Sequence, residues 1–442
     1  MSESLAVKTQ NEELETYDVE PEINGLVLKV NNLCPLDCYR KANGDSGCYM
    51  YAVDSSYKDR PSRMGLDVVR RAAERFAEYA TRPKVGPQDK YPEGKFILHG
   101  GDPGALSAEE LDDTLGTARD SLGDVSMRSA VEVSGVGITS QKLDVFLDYG
   151  TKVGISLDGD RHANRHRILK SGKPSFDKVM ATIQLINQPR YRHLFAGIIG
   201  VANPESDPDE TYEFFKKLLV PDGRARKKID DLPWLSLVMP LGHYTQPPYT
   251  DEAHRASRPY GAWLAHMDER WMTSEDRHLF RLKETVALSG KVSGRQINSD
   301  FLGGDTLEDM TILSDGSYAL RDTLSISSDG ITVLDANVFE HSIEEAVVLR
   351  RQYMQRLGAL TLSPICQTQC NPATRAICEG GTLAARYDER KTEAPFTNPA
   401  VTCGDLEHRI VRMLTLRARL QLDREHGRHV MPLQDIAYSA DS

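Results

Sequence analysis

A chain of 442 residues, 40% of them hydrophobic, can bury cores for two or three domains. Its net charge of −11 comes with no Lys/Arg block, so it lacks the footprint of a nucleic-acid binder, and no apolar run reaches the roughly 18 residues of a membrane span. The polar, acidic start MSESLAVKTQNEELETYDVEPE has no signal-peptide core, which makes the cytoplasm the expected location.

Residues 1–24 read as a flexible or loosely docked arm. From there short β-type runs alternate with helical patterns. The strands expected are 26–30 (LVLKV), 96–98 (FIL), 129–133 (SAVEV), 152–157 (KVGISL), 195–201 (FAGIIGV) and 234–239 (WLSLVM). The first helix is expected at 66–80, where Leu66, Val69, Ala73, Phe76, Ala77 and Ala80 recur at three and four. Ser107 followed by Glu110 three residues on is a capping box for 108–122. Further helices are expected at 141–148, 175–187, 209–219 and 254–271. Strand-then-helix units argue for a parallel sheet, because parallel neighbours need long crossovers. Six units rather than eight suggest an open, partial (β/α)6 barrel, whose chemistry sits on loops at the C-terminal strand ends.

The unusual clusters fall at those ends. Cys34 follows the first strand, His99-Gly100-Gly101-Asp102-Pro103 the second, and Ser134-Gly135-Val136-Gly137 the third. The fourth ends in Ser156-Leu157-Asp158-Gly159, the fifth in Ala202-Asn203-Pro204 and the sixth in Pro240-Leu241-Gly242-His243-Tyr244. One such cluster would be an ordinary turn; six in register point to a site. Seven cysteines cannot all pair within one chain. Cys34, Cys38 and Cys48 form C-x3-C-x9-C, soft ligands for zinc or an iron–sulfur cluster. Three thiolates leave a metal position open, unless His99 supplies a fourth ligand to a zinc ion. Cys366, Cys370, Cys378 and Cys403 form a complete four-thiolate set, for zinc or iron–sulfur.

The runs LVLKVNNLCPLDC…CYMY, HGGDP and ISLDG resemble the radical S-adenosylmethionine (SAM) superfamily. Later segments, YGAWLAHMDERW, ILSDGSYALRDTL and CEGGTLAARY…FTNPAVTCGDL, are similar to its SPASM/twitch branch, and within it to peptide maturases of the FxsB type. The resemblance covers about Leu26 to Leu406. It implies a 4Fe–4S cluster on Cys34, Cys38 and Cys48 with SAM on the open iron, and an auxiliary 4Fe–4S cluster on the four later cysteines. It implies that the Gly100-Gly101-Asp102-Pro103 strip, in which Asp replaces the family's Glu, receives the SAM amino group through its backbone. It implies Ser156 near the SAM ribose or carboxylate and Arg167 on the carboxylate, a fit for a forked guanidinium. Asp158 is expected to shape the Asp-Gly turn rather than to touch SAM. The family pattern is C-x3-C-x2-C with an aromatic residue before the third cysteine. Here Gly47 takes that place, and Tyr49 or Tyr51 is left to cover the adenine. The turn-rich insertion Tyr39–Gly47 is expected to form a lid or rim.

The resemblance implies cleavage of SAM to a 5′-deoxyadenosyl radical that takes hydrogen from a ribosomally made peptide, which becomes crosslinked or oxidatively modified, with a flavodoxin or ferredoxin as electron donor. Dehydrogenation of a small molecule and formylglycine formation are the enzymatic alternatives, and a zinc-binding scaffold is the non-enzymatic one. The expected division is an arm over 1–24, a barrel over 25–240, a bridge over 241–345 and an auxiliary-cluster domain over 346–442 closed by a helix at 405–422. His243 and Tyr244 are weak catalytic candidates, since a loop histidine without an identified partner is usually incidental. Asp315-Gly316 reads as a hairpin turn, Trp234, Trp263 and Trp271 as packing, and Asp160-Arg161-His162 as possible cleft lining.

Overall fold

Apolar, β-branched runs flanked by glycine form strands in the positions their patterns predict. They are β1 (Gly25–Asn31), β2 (Glu93–Gly100), β3 (Ser126–Val133), β4 (Lys152–Ser156), β5 (Phe195–Val201) and β6 (Trp234–Val238). The computed structural model describes residues 22–38, 48, 53–82, 93–224, 232–295, 297, 299, 302, 303 and 308–426. Each of the six strands pairs in parallel with the next, in chain order. The expected bridge extends the same sheet: β7 (Arg281–Leu282) pairs with β6, and β8 (Asp309–Ile312) pairs in parallel with β1. A hairpin then adds β9 (Ser317–Ala319) and β10 (Val333–Asn337), both antiparallel. The result is a ten-stranded, mostly parallel open barrel ordered β10-β9-β8-β1-β2-β3-β4-β5-β6-β7. Asp315-Gly316 makes the β8–β9 turn, with Gly316 at φ +86° and the Asp315 carboxylate accepting from Ser317 N.

Helices cover the outer face. They are α1 (Leu66–Ala80), α2 (Ala108–Asp120), α3 (Ser140–Asp148), α4 (Phe176–Ile186) and α5 (Pro208–Leu219). The three-and-four pattern of α1 buries Val69, Ala72, Ala73 and Phe76. Phe76 meets Phe96 of β2 edge-on at 5.6 Å. Ser107 and Glu110 form both capping-box bonds at the start of α2, at 3.0 and 2.7 Å. The single helix expected over 254–271 is instead two, α6 (Glu252–Ala256) and α7 (Pro259–Thr273). Pro259 has no N–H to continue a helix, and Arg258 turns left-handed at φ 53° to begin a new one.

α8 (Lys283–Val292) follows β7, and the C-terminal part holds α9 (Ile343–Arg356), α10 (Pro364–Gln369), α11 (Pro372–Cys378) and α12 (Cys403–Glu425). α12 lies along α7 and meets it most closely at Gly261, where a Cβ would fall 2.2 Å from Asp405 O. One turn further, Arg409 forms a two-pronged ion pair with Asp268 at 2.7 and 2.8 Å, with both side chains buried. Trp263 and Trp271 of α7 are buried beside this contact. The C-terminal part is therefore fastened to the barrel by a fully desolvated charge pair as well as by apolar packing.

Candidate active site

The root of the first cysteine loop is built by Asn31 at the end of β1. Its side-chain amide donates to Asp102 O at 2.8 Å, and its side-chain oxygen accepts from Asp102 N and Leu33 N at 3.2 and 3.0 Å. The Gly100–Gly101 strip packs directly on this root: a Cβ at Gly100 would lie 2.2 Å from Asn31 O, and one at Gly101 2.4 Å from Leu33 O. Only glycine fits there, and Gly100 also needs its φ of +141°. Asp102 is buried, and its carboxylate turns away from the strip. It accepts from Gly104 N at 2.9 Å and from Ser134 N and Oγ, tying the β2 and β3 ends together. Burial pushes its pKa upward against those hydrogen bonds. The side chain standing in for the family's Glu is thus a structural tie, and Pro103 opens a short buried 3-10 turn behind it.

From this root the loop carries Cys34, Cys38 and Cys48 within electrostatic reach of one another. Segment 168–170 pins it through Asp37 N to Ile168 O at 2.8 Å and Lys170 N to Pro35 O at 3.0 Å. Burial pushes the Cys34 thiol to about 11 and the Cys38 thiol to about 12, while Cys48 is exposed. Such thiols ionise readily only beside strong positive charge, which is what a bound metal centre supplies, so the donor set suits one. Arg167 is the main nearby cation acting on Cys38. Its guanidinium grips Asp158 through two bonds of 2.8 and 2.9 Å, both side chains buried, and Asp158 also accepts from Val201 N at 3.0 Å. Asp158 therefore does more than shape its turn. Ser156 ends β4 half-buried. Tyr49, Tyr51 and the Tyr39–Gly47 insertion lie outside the described residues.

Below the loop, the inward faces of the strands carry charges that the sequence pattern did not single out. Lys29 of β1 stands beside His99 of β2. Its ammonium donates to His99 Nδ1 at 3.0 Å and to Asp322 Oδ2 at 2.6 Å. Burial, and then Lys29, lower His99 to about 4, so it is neutral at pH 7. Burial opposes ionisation of Asp322, but Lys29 and His99 outweigh it and hold the carboxyl well below its usual range. His99 thus turns its Nδ1 to Lys29 and Asp322. Glu132 of β3 lies in the same lumen, its pKa raised by burial. Asp322 enters from the loop after β9, more than two hundred residues from His99, which is why spacing could not reveal it.

His243 and Tyr244 bond mainly to the C-terminal part, and His243 also to Ile326 on the turn that carries Asp322. Tyr244 N donates to Tyr387 O at 3.1 Å and its hydroxyl to Pro399 O at 3.0 Å, and His243 meets the Tyr387 ring edge-on at 5.6 Å. They dock the β6 loop on the C-terminal part. Asp160 caps a local turn onto Ala163 N, and exposed Arg161 pairs with Asp177, so that stretch does not line the lumen through those two groups.

The four later cysteines sit on three short helical ends: Cys366 in α10, Cys370 at its close, Cys378 at the end of α11 and Cys403 at the start of α12. Each of the other three acts electrostatically on Cys403, whose thiol burial pushes to about 12. Lys291 of α8, nearly inaccessible, clasps the Cys378 turn through Gly303 O at 2.8 Å, Ile377 O at 3.3 Å and Glu379 at 2.8 Å. Glu379 is left-handed at φ 46°, and a Cβ on Gly303 would lie 1.8 Å from Cys378 O. This set too suits a thiolate-bound centre. Among the described residues, no three or more His, Cys, Asp or Glu groups close around a single metal ion.

The fold is that of radical SAM maturases of the sulfatase-maturating type. Native anSMEcpe with bound AdoMet and the Cp18Cys peptide superposes over 92% of this chain and 100% of that one, with a TM-score of 0.68 at 16% identity. Streptococcus suis SuiB bound to its precursor peptide SuiA covers 91% and 84%, with a TM-score of 0.52 at 12% identity. In sequence, the serine-type anaerobic sulfatase-maturating enzyme of Bacteroides thetaiotaomicron is 25% identical over 201 residues, 44% of this chain and 43% of that one. An uncharacterized protein of Methanothermobacter thermautotrophicus is 26% identical over 163 residues, 37% and 52% of the two chains. The chain thus spans about half the length of the curated relatives it matches. No family model matches it. No helix of the described residues is long and apolar enough to cross a membrane.

Proposed function

We propose that the protein is a radical SAM enzyme that takes a hydrogen atom from a peptide substrate. The observation that carries this reading is the glycine strip packed on Asn31–Leu33, the root of the loop whose Cys34, Cys38 and Cys48 act electrostatically on one another. Cys34, Cys38 and Cys48 would hold a 4Fe–4S cluster, and Cys366, Cys370, Cys378 and Cys403 an auxiliary one. When reduced, the first cluster supplies the electron that splits SAM into methionine and a 5′-deoxyadenosyl radical. The backbone of the Gly100–Pro103 strip would receive the SAM amino group, as the resemblance implies. Ser156 and Arg167 belong on the carboxylate side; with its fork on Asp158, Arg167 would act there as a fixed positive charge.

Within the lumen, Lys29 holds Asp322 ionised and His99 neutral. A carboxyl held below its usual range and an imidazole lowered to about 4 are weak bases at pH 7, so this trio would orient the substrate through fixed charge and hydrogen bonds. A flavodoxin or ferredoxin is the fitting electron donor. The expected division into barrel, bridge and auxiliary domain remains the proposed organisation, with the bridge supplying Asp322. A peptide substrate is favoured by the neighbours solved with peptides. A second reading, formylglycine formation on a protein serine or cysteine, is favoured by the likeness to anSMEcpe with its Cp18Cys peptide.

Anaerobic reconstitution tests the reading. About eight iron atoms per chain and 5′-deoxyadenosine on reduction with dithionite are expected. Near-zero iron, or zinc in its place with no SAM cleavage, would overturn it in favour of a zinc scaffold. An aldehyde-reactive probe on the product separates formylglycine from a crosslink.

A further inference from the structure

Four neighbouring strands place Lys29, His99, Glu132 and Gly154 in one row across the lumen wall. Lys29 pairs with His99 and Glu132 with Gly154 in register, and Glu132 stands one residue beyond the Leu98–Val131 pair. Lys29 and His99 are engaged with Asp322. Glu132 differs: among the described residues its carboxylate has no hydrogen bond and no ion pair. The charges that reach it are Lys283, Asp322 and Arg167. Asp322 has the same sign, and Arg167 already spends two bonds on Asp158. Lys283 lies over the Trp234 ring, 5.3 Å from its centroid. A carboxylate walled by protein without a partner is costly to keep, and burial pushes its pKa up accordingly.

The neighbour opposite has no side chain. A Cβ built on Gly154 would fall 3.0 Å from Glu132 Oε1 and 3.3 Å from Trp234 Cη2. Glycine at this position therefore leaves the carboxylate beside the indole edge with no side chain wedged between them. A carboxylate without a partner is the chemistry that recognises an ammonium or guanidinium group.

We propose that Glu132, with Trp234 and Gly154, forms a recognition site for a cationic side chain, lysine or arginine, of the substrate. This rests on the radical SAM reading for its biological sense, and its readout, probe binding, is separate from SAM cleavage. The probes are Nα-acetyl-arginine methylamide, the lysine equivalent and the neutral citrulline equivalent. Each is titrated into the reconstituted, SAM-bound holoenzyme by saturation-transfer NMR. Wild type should bind at least one cationic probe about tenfold or more tighter than citrulline, and Glu132→Gln should bring that preference to within about twofold. Gly154→Val, whose Cβ would press to within 3.0 Å of Glu132 Oε1, should weaken cationic binding even if Glu132→Gln folds poorly. Equal binding of all three probes to wild type, no binding of either cationic probe, or a preference that survives Glu132→Gln would overturn the proposal. Failure of wild type to form 5′-deoxyadenosine would instead count against the radical SAM reading and leave the probe preference to be judged by itself.

Discussion

The two sets of thiols are held in opposite ways. Cys34 and Cys38 hang from a strand end and are pinned by backbone bonds to segment 168–170, while Cys48 is exposed. Cys366, Cys370, Cys378 and Cys403 are wedged among three helical ends, clasped by Lys291 and anchored to the barrel by the Asp268–Arg409 pair. The difference matches the number of ligands. A three-thiol set that leaves one metal position for a cosubstrate belongs on an accessible loop, whereas a four-thiol set needs no access and gains from rigidity. The glycine strip, the Arg167–Asp158 pair and the charged lumen lie near the first set, and docking contacts such as Tyr244 lie near the second.

Breaking each set should separate them. The largest effect is expected from Cys34→Ala, which should abolish 5′-deoxyadenosine formation and reduce iron from about eight to about four per chain. Cys403→Ala should lose a similar share of iron but retain SAM cleavage; if it too abolishes cleavage, the sets are not independent. Asp268→Ala strands Arg409 without its partner and should cost about 3–5 kcal/mol in chemical denaturation. That variant should shed iron from the C-terminal set first, as followed by EPR. Lys291→Met leaves Gly303 O and Ile377 O without their donor and should cost about 1–3 kcal/mol. Its EPR change should be confined to the auxiliary signal, and a change in the SAM-dependent signal would argue against the clasp.

The smallest test concerns the lumen under the first set. His99 has its pKa lowered to about 4 in the folded state, against about 6.5 unfolded. The unfolded chain therefore binds the extra proton, so stability is complete above about pH 6.5 and falls as pH drops toward 4. Between pH 7 and 5 the loss should be about 2 kcal/mol. Denaturation midpoints of His99→Gln should vary less over that window than those of wild type. Equal slopes would show that His99 does not titrate as its surroundings require.

The barrel was legible because its six strands and first five helices are each specified locally. Val69, Ala73 and Phe76 face one way along α1, and Ser107 with Glu110 mark the start of α2 regardless of what surrounds them. The break between α6 and α7 was equally written in Pro259, although the apolar spacing on either side disguised it. Lys29, by contrast, looked like a polar interruption of an apolar run, and Glu132 like another. Their meaning depends on Asp322 and Gly154, which reach them only when strands close side by side.

Sequence alone marked the cysteine spacing, the glycine strip and the strand-end register, because thiol spacing, tight turns and amphipathic faces depend on residue type and short spacing. Only the tertiary structure decided that Arg167 grips Asp158, that Asp102 turns inward to Ser134, that Tyr244 bonds to Pro399 and that Glu132 has no partner among the described residues. Those outcomes follow from which groups share a desolvated space, and sharing is settled by how distant segments pack.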